Sequence, residues 1–205
     1  ALVTPALRAE EERKTISASG SVDPEVSERI EKSIEKGCQW LVKQQNKDGS
    51  LKSSYAVAAT ALAGLAWLAA GSTPHEGPYA RNINLALDYV LRSSAKNGFI
   101  SENASFGPSG MYGHGYSTQF LAQAHGMIRD EALAARVKDA LQRAVRTTEG
   151  CQNQYGGWNS SPNPNLNDDG SGAIAVMQVP ALRAAESSGV QVRKPVIEKA
   201  KKYLL

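Results

Sequence analysis

The sequence predicts an all-α fold, an α/α toroid in which small-residue inner helices alternate with amphipathic outer helices, and three observations predict it. The first is a repeat. The stretch 40–50, WLVKQQNKDGS, returns roughly fifty residues later as YVLRSSAKNGF, which lays Trp40 on Tyr89 and Asp48-Gly49 on Asn97-Gly98. A third copy ends at Tyr155-Gly156-Gly157-Trp158 and a fourth begins at Lys202-Tyr203-Leu204. The second observation is an alternation of helix types: 55–70 is rich in Ala and Gly with no charged face, whereas Tyr79, Ile83, Leu87 and Val90 or Leu91 form one stripe opposite Arg81, Asp88 and Arg92. The third is that the connecting loops fall at the same end of each pair, with Gly49, Gly98 and Gly157 expected in turns there. A plain αα solenoid has the same local pattern and is the structural rival. Strand content should be negligible.

Taken in order, residues 1–22 are polar, carry Glu10-Glu11-Glu12-Arg13-Lys14 and end in Ser17-Ala18-Ser19-Gly20-Ser21, which reads as a tail or linker. The repeats then occupy 23–205 as one domain. Asp23 is an N-cap with Pro24 at the first helical position, and Val26, Ile30, Ile34 and Leu41 keep helical spacing as far as Gln45. The helix stops at Asp48-Gly49. The inner helix 55–70 ends at Gly71, Thr73-Pro74 and Gly77-Pro78 make a turn, and the first outer helix follows. A glycine-rich loop over 99–115, an apolar helix from 116 to 127 and an amphipathic helix over 130–147 repeat the pair. A loop over 150–169 leads to a helix over 171–187, expected to kink at Pro180, and to a last helix from Pro195 onward. Trp40 and Tyr89 recur at helix-interior positions and are expected to pack between helices.

A chain of 205 residues with 41% hydrophobic content is enough for one sizeable core. The net charge of +3 is spread over alternating signs with no basic stripe, which argues against nucleic acid as a partner. Cys38 and Cys151 match no metal-ligand spacing and read equally as two buried thiols or one disulfide. No apolar run reaches the roughly eighteen residues of a membrane span, the richest being diluted by Thr60 and Gly64. The chain starts at Ala1 with no basic-then-apolar leader, which sets an expectation of a processed or trimmed product, exported to the periplasm or beyond.

The segments Gln44-Gln45-Asn46-Lys47-Asp48-Gly49-Ser50 and Gln152-Asn153-Gln154-Tyr155-Gly156-Gly157-Trp158 resemble the repeat motifs of the prenyltransferase and squalene-oxidase repeat superfamily, which includes squalene-hopene cyclases and protein prenyltransferase β subunits. Met111-Tyr112-Gly113-His114-Gly115-Tyr116, with the stretch from Gln119 to Met127 after it, is similar to a segment of bacterial secreted or hypothetical members. The resemblance covers 24–205 and implies inner helices around a central cavity. Such toroids contain more helices than the seven or so read here. Trp40 precedes Gly49 by nine residues, so the turn after Tyr203 would fall past Leu205. The expectation is an incomplete ring whose open apolar edge is covered by a second subunit of a homo-oligomer or by a further segment.

Ring geometry would gather Tyr55, Tyr112, His114, Tyr116, Gln119, Trp158, Asp168, Asp169 and Ser171 at one mouth of that cavity. His114 and His125, eleven residues apart, would lie about 16 Å apart on one helix and cannot share a metal ion. Each reads as a hydrogen-bonded structural histidine or, for His114 between two glycines, as a ligand contact. Asp168 and Asp169 precede an inner helix, as an N-cap or as a buried proton donor. Asn165-Leu166-Asn167-Asp168-Asp169-Gly170-Ser171 resembles the acidic Asp-x-Asp-Asp-Thr motif of the cyclases, with Asn167 at the protonating acid, and an amide cannot protonate an alkene. Asp169-Gly170-Ser171 likewise resembles the Asp-x-Cys zinc motif of the prenyltransferases, with Ser171 in place of the thiolate. Neither squalene cyclisation nor zinc-dependent prenyl transfer is therefore expected, and no cofactor or metal. The tyrosines and Trp158 suit a carbocation, a sugar ring or ordinary core packing. The expected function is binding of an apolar, isoprenoid-like ligand, with catalysis left open. The alternatives are a polysaccharide lyase or hydrolase acting on an oligosaccharide, against which the scarcity of Lys and Arg in the loops counts, and a non-catalytic interaction scaffold.

Overall fold

A computed structural model describes residues 23–102, 110–165 and 169–205. They form seven α-helices: α1 (Pro24–Gln44), α2 (Ala56–Ala69), α3 (Ala80–Arg92), α4 (Gly110–His125), α5 (Glu131–Gly150), α6 (Gly172–Ser187) and α7 (Lys194–Leu204). Among the described residues the β contacts are two isolated bridges, Gln45 with Leu51 and Ser94 with Ile100. The fold is all-α.

The described residues fall into two units, 23–37 and 38–205, with the boundary inside α1. In the first unit the Asp23 carboxylate accepts the Glu25 N–H at 2.9 Å, the N-cap its position predicts. Val26, Ile30 and Ile34 stand exposed on one side of α1.

In the second unit α4 packs against both α2 and α6, and these three inner helices are backed by α3 on α2, α5 on α4 and α7 on α6. Small residues make the inner contacts possible. A Cβ on Gly64 of α2 would overlap the Phe120 ring of α4, and one on Gly115 of α4 would sit 2.7 Å from the Gln178 Nε2 of α6. Trp67, Phe120, Leu121, Trp158, Ile174 and Leu182 fill the space behind them with no exposed surface to speak of. Trp67 stacks on Tyr79 with ring centres 6.4 Å apart and donates its indole N–H to the Cys38 carbonyl at 3.3 Å.

The repeat is physical as well as textual. Gly49, Gly98 and Gly156 adopt φ of +92°, +90° and +96°, and each presses against the backbone of the next outer helix, at Leu85, Arg143 and Lys199. Two of the turns are pinned alike. Gln45 Nε2 donates to the Gly49 and Asn82 carbonyls at 3.1 and 3.0 Å, and Gln152 Nε2 to those of Gly156 and Val196 at 3.0 and 2.9 Å. In the middle copy the equivalent position is Ser94, too short to reach, and its buried hydroxyl has no hydrogen-bond partner. The Asp48 carboxylate accepts the N–H and hydroxyl of Ser50, which hold it below the usual carboxylate range.

Three expectations are corrected. The third turn glycine is Gly156, while Gly157 lies one residue further on, where a Cβ would meet the Tyr203 ring at 2.7 Å. Helix α4 begins at Gly110, six residues ahead of Tyr116, because Gly115 serves as a close-contact position inside the helix rather than as part of a flexible loop. Trp40 does not pack between helices: it is 59% exposed, whereas its repeat mate Tyr89 is half-buried with the Arg92 guanidinium 5.8 Å from its ring centre.

Helix α5 carries the clearest cap. Asp130 takes the Leu133 N–H at 2.6 Å, and Asp130→Ala is expected to lower stability by about 1 kcal/mol, read as a fall of about 3 °C in Tm.

Candidate functional site

The first turns of α2 and α4 enclose a cavity of about 380 Å³, open on one side and almost wholly apolar, lined by Tyr55, Ala58, Leu62, Tyr112, Gly113 and Glu102 among others. Its geometry follows from the two helix starts. Tyr55 is at the N-cap position of α2, where its own side chain caps nothing, so the ring is 57% exposed. The missing cap is supplied from elsewhere: Glu102 Oε1 accepts the Val57 N–H at 2.9 Å, which places a carboxylate on the helix N-terminus and at the cavity wall. Gly113 leaves room for a Cβ, which would stand 3.6 Å from Val57 and 3.8 Å from the Ala58 nitrogen, and Leu62, 44% exposed, forms the floor.

Of the residues singled out in the sequence, Tyr55 and Tyr112 meet in this cavity. Tyr116 and Gln119 follow Tyr112 on α4 at i+4 and i+7, half-buried on the same helix face. Ser171 takes the N-cap position of α6 without a side-chain cap bond, and its N–H donates to the Trp158 carbonyl at 2.9 Å; Asp169 is exposed two residues earlier. Asp168 and Asn167 lie outside the described residues.

His114 and Trp158 are elsewhere, wholly buried, and present no surface to a ligand. Trp158 donates its indole N–H to the Thr148 carbonyl at 2.8 Å. His114 Nδ1 accepts the Ile100 N–H at 3.2 Å, which puts the ring proton on Nε2, facing the Ala144 carbonyl at 3.2 Å and the Thr148 hydroxyl at 3.0 Å. Phe99 covers the ring at 5.2 Å between centres. Burial pushes the His114 pKa down to about 4. The repeat explains this role: Leu51, two residues after Gly49, donates its N–H to Thr60 of α2 at 2.9 Å, and Ile100, two residues after Gly98, donates to His114 of α4. Thr60 and His114 are the same structural pin in successive copies.

Cys38 and Cys151 are both free, buried thiols, with the Cys151 pKa raised to about 11 by burial, so neither is poised as a thiolate. Among the described residues no three His, Cys, Asp or Glu side chains gather as a metal site, and no helix is long and apolar enough to cross a membrane. Glu102 and Leu62 escaped the sequence reading. Glu102 stands in no motif, and nothing in a helix without a charged face says which leucine faces out. Compared with known proteins, the chain matches no family model and no curated protein.

Proposed function

We propose that this chain is a terpenoid-cyclase/prenyltransferase-like helical repeat protein of the α/α-toroid type, and that it binds an apolar, isoprenoid-like small molecule against its inner helices. The carrying observation is the cavity between α2 and α4, where exposed Tyr55 and Leu62 and half-buried Tyr112 leave apolar surface uncovered. Its size falls at the lower end of small-molecule sites, and an apolar lining with a few polar groups, here Ser53 and Glu102 beside the tyrosines, is the usual composition of such sites. The proposal is of binding; no residue is given a catalytic role.

Calorimetric titration with farnesol tests it, with maltohexaose as the sugar comparator. Farnesol is expected to bind, and Leu62→Glu to weaken it by about tenfold or more while leaving helical content intact, because a charge on the floor must be desolvated by the ligand. Binding of maltohexaose alone would favour the polysaccharide reading, and binding of neither would leave the scaffold.

A further inference from the structure

We propose that the groove between α2 and α4 selects amphiphiles with a cationic head, an alkyl or isoprenoid body carrying an amine or quaternary ammonium, over neutral or anionic ones. This rests on the reading of the groove as an apolar-ligand site and adds the polarity of its occupant. Among the described residues Glu102 is the one charged side chain lining the cavity, and no Lys, Arg or His lines it. No ion pair among the described residues neutralises that carboxylate. Arg92 shares a neighbouring depression with Glu102, but its guanidinium is committed to Asp88 at 3.0 Å and to the Asp48 carbonyl at 2.6 Å.

The start of α2, which could otherwise receive an anion, is already occupied: its Val57 N–H is donated to Glu102. An anionic head would therefore meet a fixed negative charge with no cation to offset it. A cationic head meets the same carboxylate together with the rings of Tyr55 and Tyr112, a combination of ion pairing and cation–π attraction beside an apolar wall.

Three ligands with one ten-carbon tail separate head from body: decyltrimethylammonium, 1-decanol and decanoate, titrated calorimetrically below their micelle-forming concentrations. The ammonium is expected to bind about tenfold more tightly than the alcohol, and decanoate more weakly than either. Glu102→Gln keeps an oxygen for the Val57 N–H while removing the charge, and is expected to bring the ammonium to the level of the alcohol. If that variant does not fold, salt serves instead: added NaCl should narrow the ammonium-to-alcohol ratio in the wild-type protein. Equal affinities, a preference for decanoate or a salt-independent ratio would overturn the cationic preference and leave the apolar site standing. Failure of all three to bind would overturn the apolar site itself.

Discussion

Gly49→Ala is expected to lower stability by about 3 kcal/mol, and Gly98→Ala by a similar amount, because two effects act on each at once. At φ of +92° and +90° an L-residue is forced into the left-handed region, which accounts for about 1 to 2 kcal/mol. The remainder comes from the added methyl, which would overlap the Leu85 carbonyl in one case and the Arg143 carbonyl in the other. Both obstacles are helix backbone, which cannot swing aside as a flexible side chain would. Gly71 separates the two effects, since its φ is +88° and a Cβ there would meet nothing within 4 Å. Gly71→Ala should therefore lose only the conformational part, about 1 to 2 kcal/mol. Urea unfolding of the three variants checks this. Equal losses at Gly49 and Gly71 would show that the turn does not bear on the neighbouring helix.

That docking is also why the architecture was legible in the sequence. A turn that must close in the left-handed region against a neighbour admits little but glycine, so it recurs visibly, as does the switch from small-residue to striped helices. Where glycine has another use, the same signal misleads. Gly115 permits close packing of α4 on α6, and reading Gly113 and Gly115 as loop placed the helix start six residues late. Trp40 misled differently: its recurrence as Tyr89 was real, but an aromatic near the end of a helix can lie on the surface, and it does. In the candidate site the tyrosines at the helix starts were readable. Glu102 was not, because its position is set by a hydrogen bond to Val57, 45 residues away in sequence, that no local pattern encodes.

His114, which the sequence offered as either ligand contact or structural pin, should make the protein sensitive to mild acid. In the unfolded chain its pKa is 6.5, and in the folded protein it is depressed to about 4. Above pH 6.5 the ring is neutral in both states and contributes no pH dependence. Between 6.5 and 4 the unfolded chain takes up a proton that the folded protein refuses, so stability falls with falling pH, by about 3 kcal/mol in all at 1.4 kcal/mol per unit. Below about 4 the folded protein also binds the proton and this contribution levels off. Protonation would fall on Nδ1, the atom that accepts the Ile100 N–H, and Nε2 is already turned to Ala144 and Thr148. Uptake therefore removes the link between the Gly98 turn and α4. Surface carboxylates add their own slope in acid, so the comparison needed is with His114→Gln, which keeps one acceptor and one donor and does not titrate. The variant should be less stable than wild type at pH 7 by about 1 to 2 kcal/mol, having lost the fitted ring. Its stability should then decline less steeply than that of wild type between pH 6.5 and 4.5, so that the two curves meet between about pH 6 and 5 and cross below it. Parallel urea midpoints for the two proteins across that range would show that His114 is charged, or solvated, in the folded state and is not the pin described.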